Sequence, residues 1–371
     1  MQLTKQFIGL SKKYSTPSLL FDSKIIVDNY RRIKKSINGV EVFYAMKAND
    51  DPRILSLLIK ERSSFEISSH TELKALLKLG VPVAKIVCLN PIKSPQFLKA
   101  MHQCGVTIMA FDAIEEVDKI AKYAPKSKLV IRINVSNEGS DWPLTKKFGV
   151  EPSEALPLLK YARQKKLDPI GITFHVGSQC LNVKNWVSAL YVCDEIWKEA
   201  KRHAINLTFL SLGGGIPIQH LKKIPSIEEI GTAINGGLKR NFKSTKDKLR
   251  VSIEPGRGLV GDAAILVSKV VGKGKRGNED WVYIDVGVFN GLMETVEHFG
   301  YELKTDHDGK KKIVSIGGPS CDSVDIPFTD VPLTDVEVGD LVYVLNAGAY
   351  TNVYAARFNG FAIPKNHFID L

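Results

Sequence analysis

Residues 40–47 read Val40-Glu41-Val42-Phe43-Tyr44-Ala45-Met46-Lys47. The run is β-branched and aromatic through its middle and stops on a cation, as a buried strand does where its end meets a polar mouth. Pro52 opens the next segment, 52–60, whose apolar residues recur at helical spacing behind Asp51, a good N-cap. A second strand candidate follows at 64–68. This order decides the fold, because sequential strands joined through a helix lie parallel with a right-handed crossover.

The same unit recurs along the chain. Strand candidates lie at 40–46, 64–68, 85–89, 106–111, 128–134, 169–175, 206–212 and 250–254. Helical spacing fills 52–60, 71–79, 95–103, 151–163 and 186–202. Ser94 and Asp112 are further N-cap candidates, and Gly80 and Gly105 end two helices in the manner of left-handed caps. Eight such strands suit a (β/α)8 TIM-like barrel. A doubly wound open sheet is the alternative and usually has fewer strands.

From Gly261 the pattern changes. Strand candidates at 263–271, 281–286, 312–316 and 341–345 are joined by loops rich in Gly, Asp and Pro. An α/β chain is therefore expected, with the barrel at 24–260. Residues 1–23 plus 261–371 are expected to form a C-terminal all-β domain, a β-sandwich or β-barrel, joined by the N-terminal strand 18–22.

The 371 residues are 44% hydrophobic and 25% charged, ordinary for a soluble globular protein. No apolar run reaches the roughly 18 residues that span a bilayer, so no membrane partner is expected. Residues 1–13 lack a signal-peptide pattern. The five cysteines, Cys88, Cys104, Cys180, Cys193 and Cys321, contain no C-x-x-C pair. They argue against a disulfide framework or a zinc site, so free thiols, no metal and a cytoplasmic location are expected. The net charge of +11 comes from scattered lysine pairs and one run, Lys310-Lys311-Lys312, without a nucleic-acid motif. No nucleic-acid partner is expected.

Barrel enzymes carry their chemistry at the carboxyl ends of the strands. Here those ends hold Lys47, then Glu66 and Ser68, then Arg132 and Asn134, then His175, Gly177 and Ser178. The seventh strand runs into Gly213-Gly214-Gly215 and the eighth into Glu254-Pro255-Gly256-Arg257. Loops after strands seven and eight commonly bind phosphate; successive glycines admit an anion to backbone N–H groups, and Arg257 can clasp it bidentately. A flexible turn is the common reading of three glycines, and a solvated cation that of a strand-end lysine. A lysine and a phosphate cradle in one mouth point further, to a Schiff-base lysine and a phosphorylated aldehyde. Pyridoxal 5'-phosphate fits, with Glu254 as partner of its ring nitrogen and His175 stacked on its face.

These residues resemble the fold-type III pyridoxal-phosphate decarboxylases, the group of ornithine, lysine and diaminopimelate decarboxylases. The matching segments are Phe43-Tyr44-Ala45-Met46-Lys47-Ala48-Asn49, Phe65-Glu66-Ile67-Ser68-Ser69 with Glu72, and His175-Val176-Gly177-Ser178. Then come Gly213-Gly214-Gly215, Glu254-Pro255-Gly256-Arg257, Gly318-Pro319-Ser320-Cys321-Asp322, Gly348-Ala349-Tyr350-Thr351 and Asn359-Gly360-Phe361. The resemblance runs from Thr16 to Phe361.

The resemblance implies the roles. Lys47 would bond the cofactor; His175 would stack on its ring and Glu254 would meet its nitrogen. Ser178, Gly214, Gly215, Arg257 and Tyr350 would hold the phosphate, with Gly213 and Gly256 in the same loops and Glu66 and Arg132 beside the cofactor. Cys321 would reprotonate the α-carbon after carbon dioxide leaves, and Asp322 would bind the distal ammonium of a basic amino acid. Both would reach the site across the interface of a homodimer. The substrate implied is ornithine or lysine, giving putrescine or cadaverine in polyamine biosynthesis.

Three departures matter. Glu66 stands where ornithine decarboxylases of the group usually carry Asp. The stretch 285–294 differs from the animal enzymes, and Glu294 can offer the distal amine a second carboxylate. Asp322 replaces the Glu usual in diaminopimelate decarboxylases. Arginine, carboxynorspermidine, diaminopimelate or a glutamyl conjugate are alternative substrates, since one methylene is worth only about 1–3 kcal/mol of discrimination. A catalytically inactive regulatory homologue would tend to lose the lysine, the arginine or the cysteine, and all three are present. A racemase typically meets the ring nitrogen with an arginine, against which Glu254 speaks.

Overall fold

The computed structural model describes residues 2–144, 147–243 and 249–369. Its first eleven strands are β1 (Ser18–Asp22), β2 (Glu41–Ala45), β3 (Ser64–Glu66), β4 (Ile86–Val87), β5 (Ile108–Phe111), β6 (Lys128–Arg132), β7 (Ser140–Trp142), β8 (Asp168–Thr173), β9 (Ser178–Cys180), β10 (Phe209–Ser211) and β11 (Arg250–Ile253). The chain divides into two units. One comprises Asn29–Pro217 and Ile224–Gly256; the other comprises Met1–Asp28, Ile218–Lys223 and Arg257–Leu371. The chain thus changes unit at Gly256–Arg257 rather than at the expected 260, and 218–223 goes with the β-rich unit.

In the first unit, eight parallel strands pair in the order β4-β3-β2-β11-β10-β8-β6-β5. A parallel bridge from Cys88 to Met109 brings the two ends together, so the sheet is a nearly closed (β/α)8 barrel. Helices Pro52–Lys60, His70–Lys78, Pro95–Cys104, Ile114–Tyr123, Pro152–Gln164, Lys184–Arg202 and Ile227–Asn241 lie between strands. Asp51 and Ser94 cap as expected, accepting from Arg53 N and Phe97 N. Asp112 does not. Ala113 takes that N-cap without a side-chain bond, and the Asp112 carboxylate accepts from Gly149 N at 2.8 Å.

The barrel interior is closed by packing. Phe43, Val87, Leu89, Ala110, Val130 and Phe209 form one buried cluster. The Phe43 and Phe209 rings meet edge to face at 6.4 Å, with the Arg250 guanidinium 5.5 and 5.3 Å from them. Arg250 in turn forks onto Glu41 at 2.6 and 2.7 Å. Each buried phenyl ring contributes roughly 1.5–3 kcal/mol. Glu41 and Arg250 stand at the amino ends of β2 and β11, whereas Glu66 and Arg132 close the carboxyl ends of β3 and β6.

The second unit adds β12 (Ala264–Arg276), β13 (Glu279–Ile284), β14 (Leu303–Thr305), β15 (Lys311–Gly317), β16 (Phe328–Thr334), β17 (Leu341–Val344) and β18 (Lys365–Ile369). They form one mostly antiparallel sheet in the order β14-β17-β12-β13-β15-β16. Strand β1 joins it as expected, antiparallel to β12 and parallel to β18. Phe7, Leu20, Ile265, Val267, Tyr343, Leu345 and Ile369 share its core. Phe7 comes from a helix the sequence pattern did not signal, Lys5–Ser11, whose Thr4 cap accepts from Phe7 N at 3.1 Å.

Candidate active site

Lys47 lies on a single 3-10 turn, Met46–Ala48, directly after β2. The turn is pinned from both sides: Ala45 N donates to Pro255 O at 3.2 Å, and the Tyr44 hydroxyl donates to Asn49 O at 2.7 Å. The lysine side chain is exposed. Charged and titratable groups surround it. Its ammonium acts electrostatically on Glu66, Glu72, His175 and Glu254.

Glu66 closes β3 and is buried. Burial raises its pKa above the ordinary carboxylate range, with Lys47 and Arg132 pulling the other way. Glu254 follows β11 and accepts from the Ser211 hydroxyl, with the Thr173 hydroxyl at 3.5 Å. Burial lifts its pKa too, and the neighbouring Glu66 lifts it further. Two carboxylates in one poorly solvated mouth resist ionising together. Arg132 ends β6 and faces both of them as well as Asp112; burial pulls its pKa down. Its guanidinium lies 5.2 Å from the Phe148 ring.

His175 follows β8. Its Nδ1 accepts from Gly177 N at 3.0 Å. Burial first, and the Lys47 and Arg132 cations second, hold its pKa well below the usual histidine range. The ring is therefore neutral at pH 7, with its proton on Nε2. The loop beyond it is anchored by the β7–β9 pair, which sets Ser178 opposite Trp142. Asn137 Nδ2 donates to His175 O at 2.9 Å, and the Ser140 hydroxyl to Val176 O at 2.6 Å.

The glycines after β10 lie where side chains would collide. A Cβ on Gly213, at φ +63°, would fall 2.0 Å from Phe174 O. A Cβ on Gly214 would fall 2.8 Å from Glu254 O and 2.9 Å from His175 Nε2. On Gly215, at φ +101°, it would meet Gly177 O at 2.5 Å. The loop is thus a cradle of bare backbone beside the Glu254 main chain and a neutral imidazole. This donor set fits pyridoxal phosphate: an amine for the aldehyde, a carboxylate for the ring nitrogen, an imidazole for the ring face and bare backbone for the phosphate. Asn134, at the end of the same strand region as Arg132, is not in this group; its amide donates to Glu151 at 3.0 Å.

In the second unit, Arg257 follows Gly256 and opens the short helix Arg257–Val260. It is buried and forks onto Glu294, with Nη1 to Oε2 at 3.0 Å and Nη2 to Oε1 at 2.5 Å. The rings of Phe299 and Tyr350 lie 4.7 and 4.9 Å from the guanidinium. Tyr350 sits at φ +60° and packs on Tyr354 at 5.6 Å. The Tyr301 hydroxyl donates to Glu294 Oε2 at 3.0 Å. Glu294, expected at the substrate's distal amine, therefore has a different set of partners. Cys321 and Asp322 are exposed.

Three residues escaped the sequence reading as site residues. Glu72 accepts from Ser68 N at 2.5 Å, and burial pushes its pKa up to about 7. Its sequence signal, Ser69-x-x-Glu72, is that of an ordinary capping box. Asp325 and Asn359 hold the loop of Cys321, through contacts no local motif announces. Among the described residues no group of His, Cys, Asp and Glu could hold a metal ion.

A nearly closed barrel with a lysine, paired carboxylates and a glycine cradle at its strand ends defines a pyridoxal-phosphate enzyme of the barrel type. Residues 23–261 match the family described as pyridoxal-dependent decarboxylase, pyridoxal binding domain, and the chain belongs to that family. Over 361 residues it is 38% identical to a lysine/ornithine decarboxylase of Selenomonas ruminantium, covering 96% of this chain and 90% of that protein. The crystal structure of lysine decarboxylase from the same organism superposes with a TM-score of 0.92 at 36% identity, covering 100% of this chain and 97% of that one. The arginine decarboxylase of Paramecium bursaria Chlorella virus superposes at 0.91 with 27% identity, over 98% of this chain and 99% of that one. The chain is a pyridoxal-phosphate-dependent amino-acid decarboxylase, within a group whose members act on basic amino acids.

Proposed function

We propose that this decarboxylase acts on L-ornithine or L-lysine and releases putrescine or cadaverine. The group around Lys47, an amine at a strand end facing Glu66, Glu254 and a neutral His175, carries the decarboxylase chemistry, and the likeness to a lysine/ornithine decarboxylase supports the substrate. Bound pyridoxal phosphate supplies the electron sink that takes up the charge left when carbon dioxide departs. Lys47 anchors it covalently, and Glu254 keeps its ring nitrogen protonated. His175, being neutral, packs on the ring without adding charge. The glycine cradle Gly213–Gly215 with Ser178 and Gly256 would hold the phosphate, and the family pattern assigns Arg257 and Tyr350 to the same ligand.

Cys321 and Asp322, presented by a second copy of the chain in a homodimer, complete the site. The thiol gives its proton to the substrate's α-carbon, and the aspartate takes the distal ammonium. The five free cysteines suit a reducing compartment such as the cytoplasm. The likeness to an arginine decarboxylase supports arginine as a second reading.

The test is carbon dioxide release from ornithine, lysine, arginine and meso-diaminopimelate with added pyridoxal phosphate, beside a Lys47→Ala control. One dominant diamine product and a silent control support the reading. Inertness toward ornithine and lysine, with turnover of either other substrate, overturns it.

A further inference from the structure

We infer that Glu294 is a positioning residue for Arg257: a resident carboxylate that fixes the guanidinium which clasps the cofactor phosphate. The inference rests on the reading that Arg257 binds that phosphate.

The two residues are 37 positions apart, and each side chain is only 4–5% exposed. A buried guanidinium without a counter-ion is costly, so a partner is required. Glu294 supplies it in the most directional form available, two parallel N–H···O bonds from Nη1 and Nη2. The carboxylate is itself fixed by the Tyr301 hydroxyl. Phe299 and Tyr350 lie close to the guanidinium and limit its tilt. Arg257 therefore has a set orientation before any anion arrives. Such pre-organisation lowers the cost of ordering the arginine when the phosphate binds. A lysine at 257 could not be held this way, because its ammonium has no plane to fix.

The same contacts argue against a direct role for Glu294 on the substrate. Both of its oxygens accept from Arg257 and one also accepts from Tyr301. A distal ammonium would have to break that arrangement and strand a buried cation. Glu294 acts through Arg257.

The experiment titrates apoprotein with pyridoxal phosphate and, separately, with pyridoxal, which lacks the phosphate. Binding is read from the absorbance of the bound cofactor, with thermal midpoints recorded alongside. Glu294→Gln is expected to raise the Kd for pyridoxal phosphate about tenfold or more and to leave that for pyridoxal within about twofold. Equal losses for both probes would reduce Glu294 to a fold-holding residue and overturn the inference. Unchanged or tighter phosphate-dependent binding would overturn it as well. Should Glu294→Gln fail to fold, Tyr301→Phe removes one bond to the carboxylate and should shift the same Kd in the same direction by a smaller factor; no shift there counts against the inference. An Arg257→Met arm separates the two layers. If it leaves pyridoxal phosphate binding intact, the phosphate reading of Arg257 itself fails. If it weakens that binding while Glu294→Gln and Tyr301→Phe do not, only the positioning role fails.

Discussion

The backbone N–H and the thiol of Cys321 both donate to Oδ1 of Asn359, at 3.3 and 3.4 Å. One acceptor thereby tethers both the backbone and the sulfur of Cys321. Asn359 sits at φ +51°, in the left-handed region that asparagine tolerates better than most residues.

In the proposed reaction a proton must reach the substrate's α-carbon and no other atom, and a thiol whose sulfur is held in place makes that choice. Asn359→Ala is expected to lower kcat about tenfold with little change in KM, less than the roughly 10²–10⁴-fold a general acid contributes, because the thiol itself stays in place. It should also raise the share of turnovers that end in a carbonyl product instead of an amine. Chromatography of both products measures the partition. An unchanged partition would detach Asn359 from the thiol's aim.

Asp325 holds the same loop from beneath. It is 4% exposed; its Oδ1 accepts from Val288 N at 2.7 Å and its Oδ2 from Ser320 N at 2.9 Å. Its backbone accepts from Gly318 N and donates to Asp322 O. Asp325→Ala strands two N–H groups and should cost about 3 kcal/mol, while Asp325→Asn keeps one acceptor and should cost about half that. Urea unfolding reads both. An alanine variant with the wild-type midpoint would contradict the hydrogen-bond assignment.

Neighbouring glycines after β10 separate folding from binding. At Gly213 a Cβ meets Phe174 O at 2.0 Å on a backbone with φ +63°, so Gly213→Ala should lower the thermal midpoint sharply. Gly214 has no such backbone demand; its Cβ would project toward Glu254 O and His175 Nε2. Gly214→Ala should therefore disturb the fold less and lose bound pyridoxal phosphate more. Paired melting curves and cofactor absorbance decide. A greater loss of stability at Gly214 than at Gly213 would reverse the assignment.

The barrel was legible because the strands are short apolar runs and most of the helices between them carry their own spacing and cap. The strand-end set Lys47, Glu66, Arg132, His175 and Glu254 was legible for the same reason: a barrel fixes which end of a strand bears the chemistry. Strand β16 was not, because Pro332 and the left-handed Asp330 interrupt its alternation. Strand β18 reads Lys365-Asn366-His367-Phe368-Ile369 and is half-exposed, so its polarity conceals it. The partners of Glu294, Asp325 and Asn359 were illegible for a different reason. Their roles depend on contacts made across 37 or 38 residues or around a loop, and sequence spacing carries no signal for such pairs. Asp112 shows the converse, since a residue well placed for a cap was drawn to Gly149 by tertiary structure.

Glu72 offers a test that does not depend on turnover. Burial, with a smaller push from Glu66, raises its pKa from 4.5 to about 7 against the pull of the Ser68 and Ser69 N–H groups and Lys47. The folded protein therefore holds this proton more tightly than the unfolded chain does. Between about pH 4.5 and 7 the native state binds more protons, so stability falls as pH rises through that window. Below it neither state is ionised and the penalty is absent; above it the penalty is fully present. Gln at this position keeps an oxygen for Ser68 N and has no charge to desolvate. The thermal midpoint of Glu72→Gln, relative to wild type, should accordingly be more favourable at pH 8 than at pH 5. A difference that stays constant across that range would mean that Glu72 titrates as an ordinary surface carboxylate.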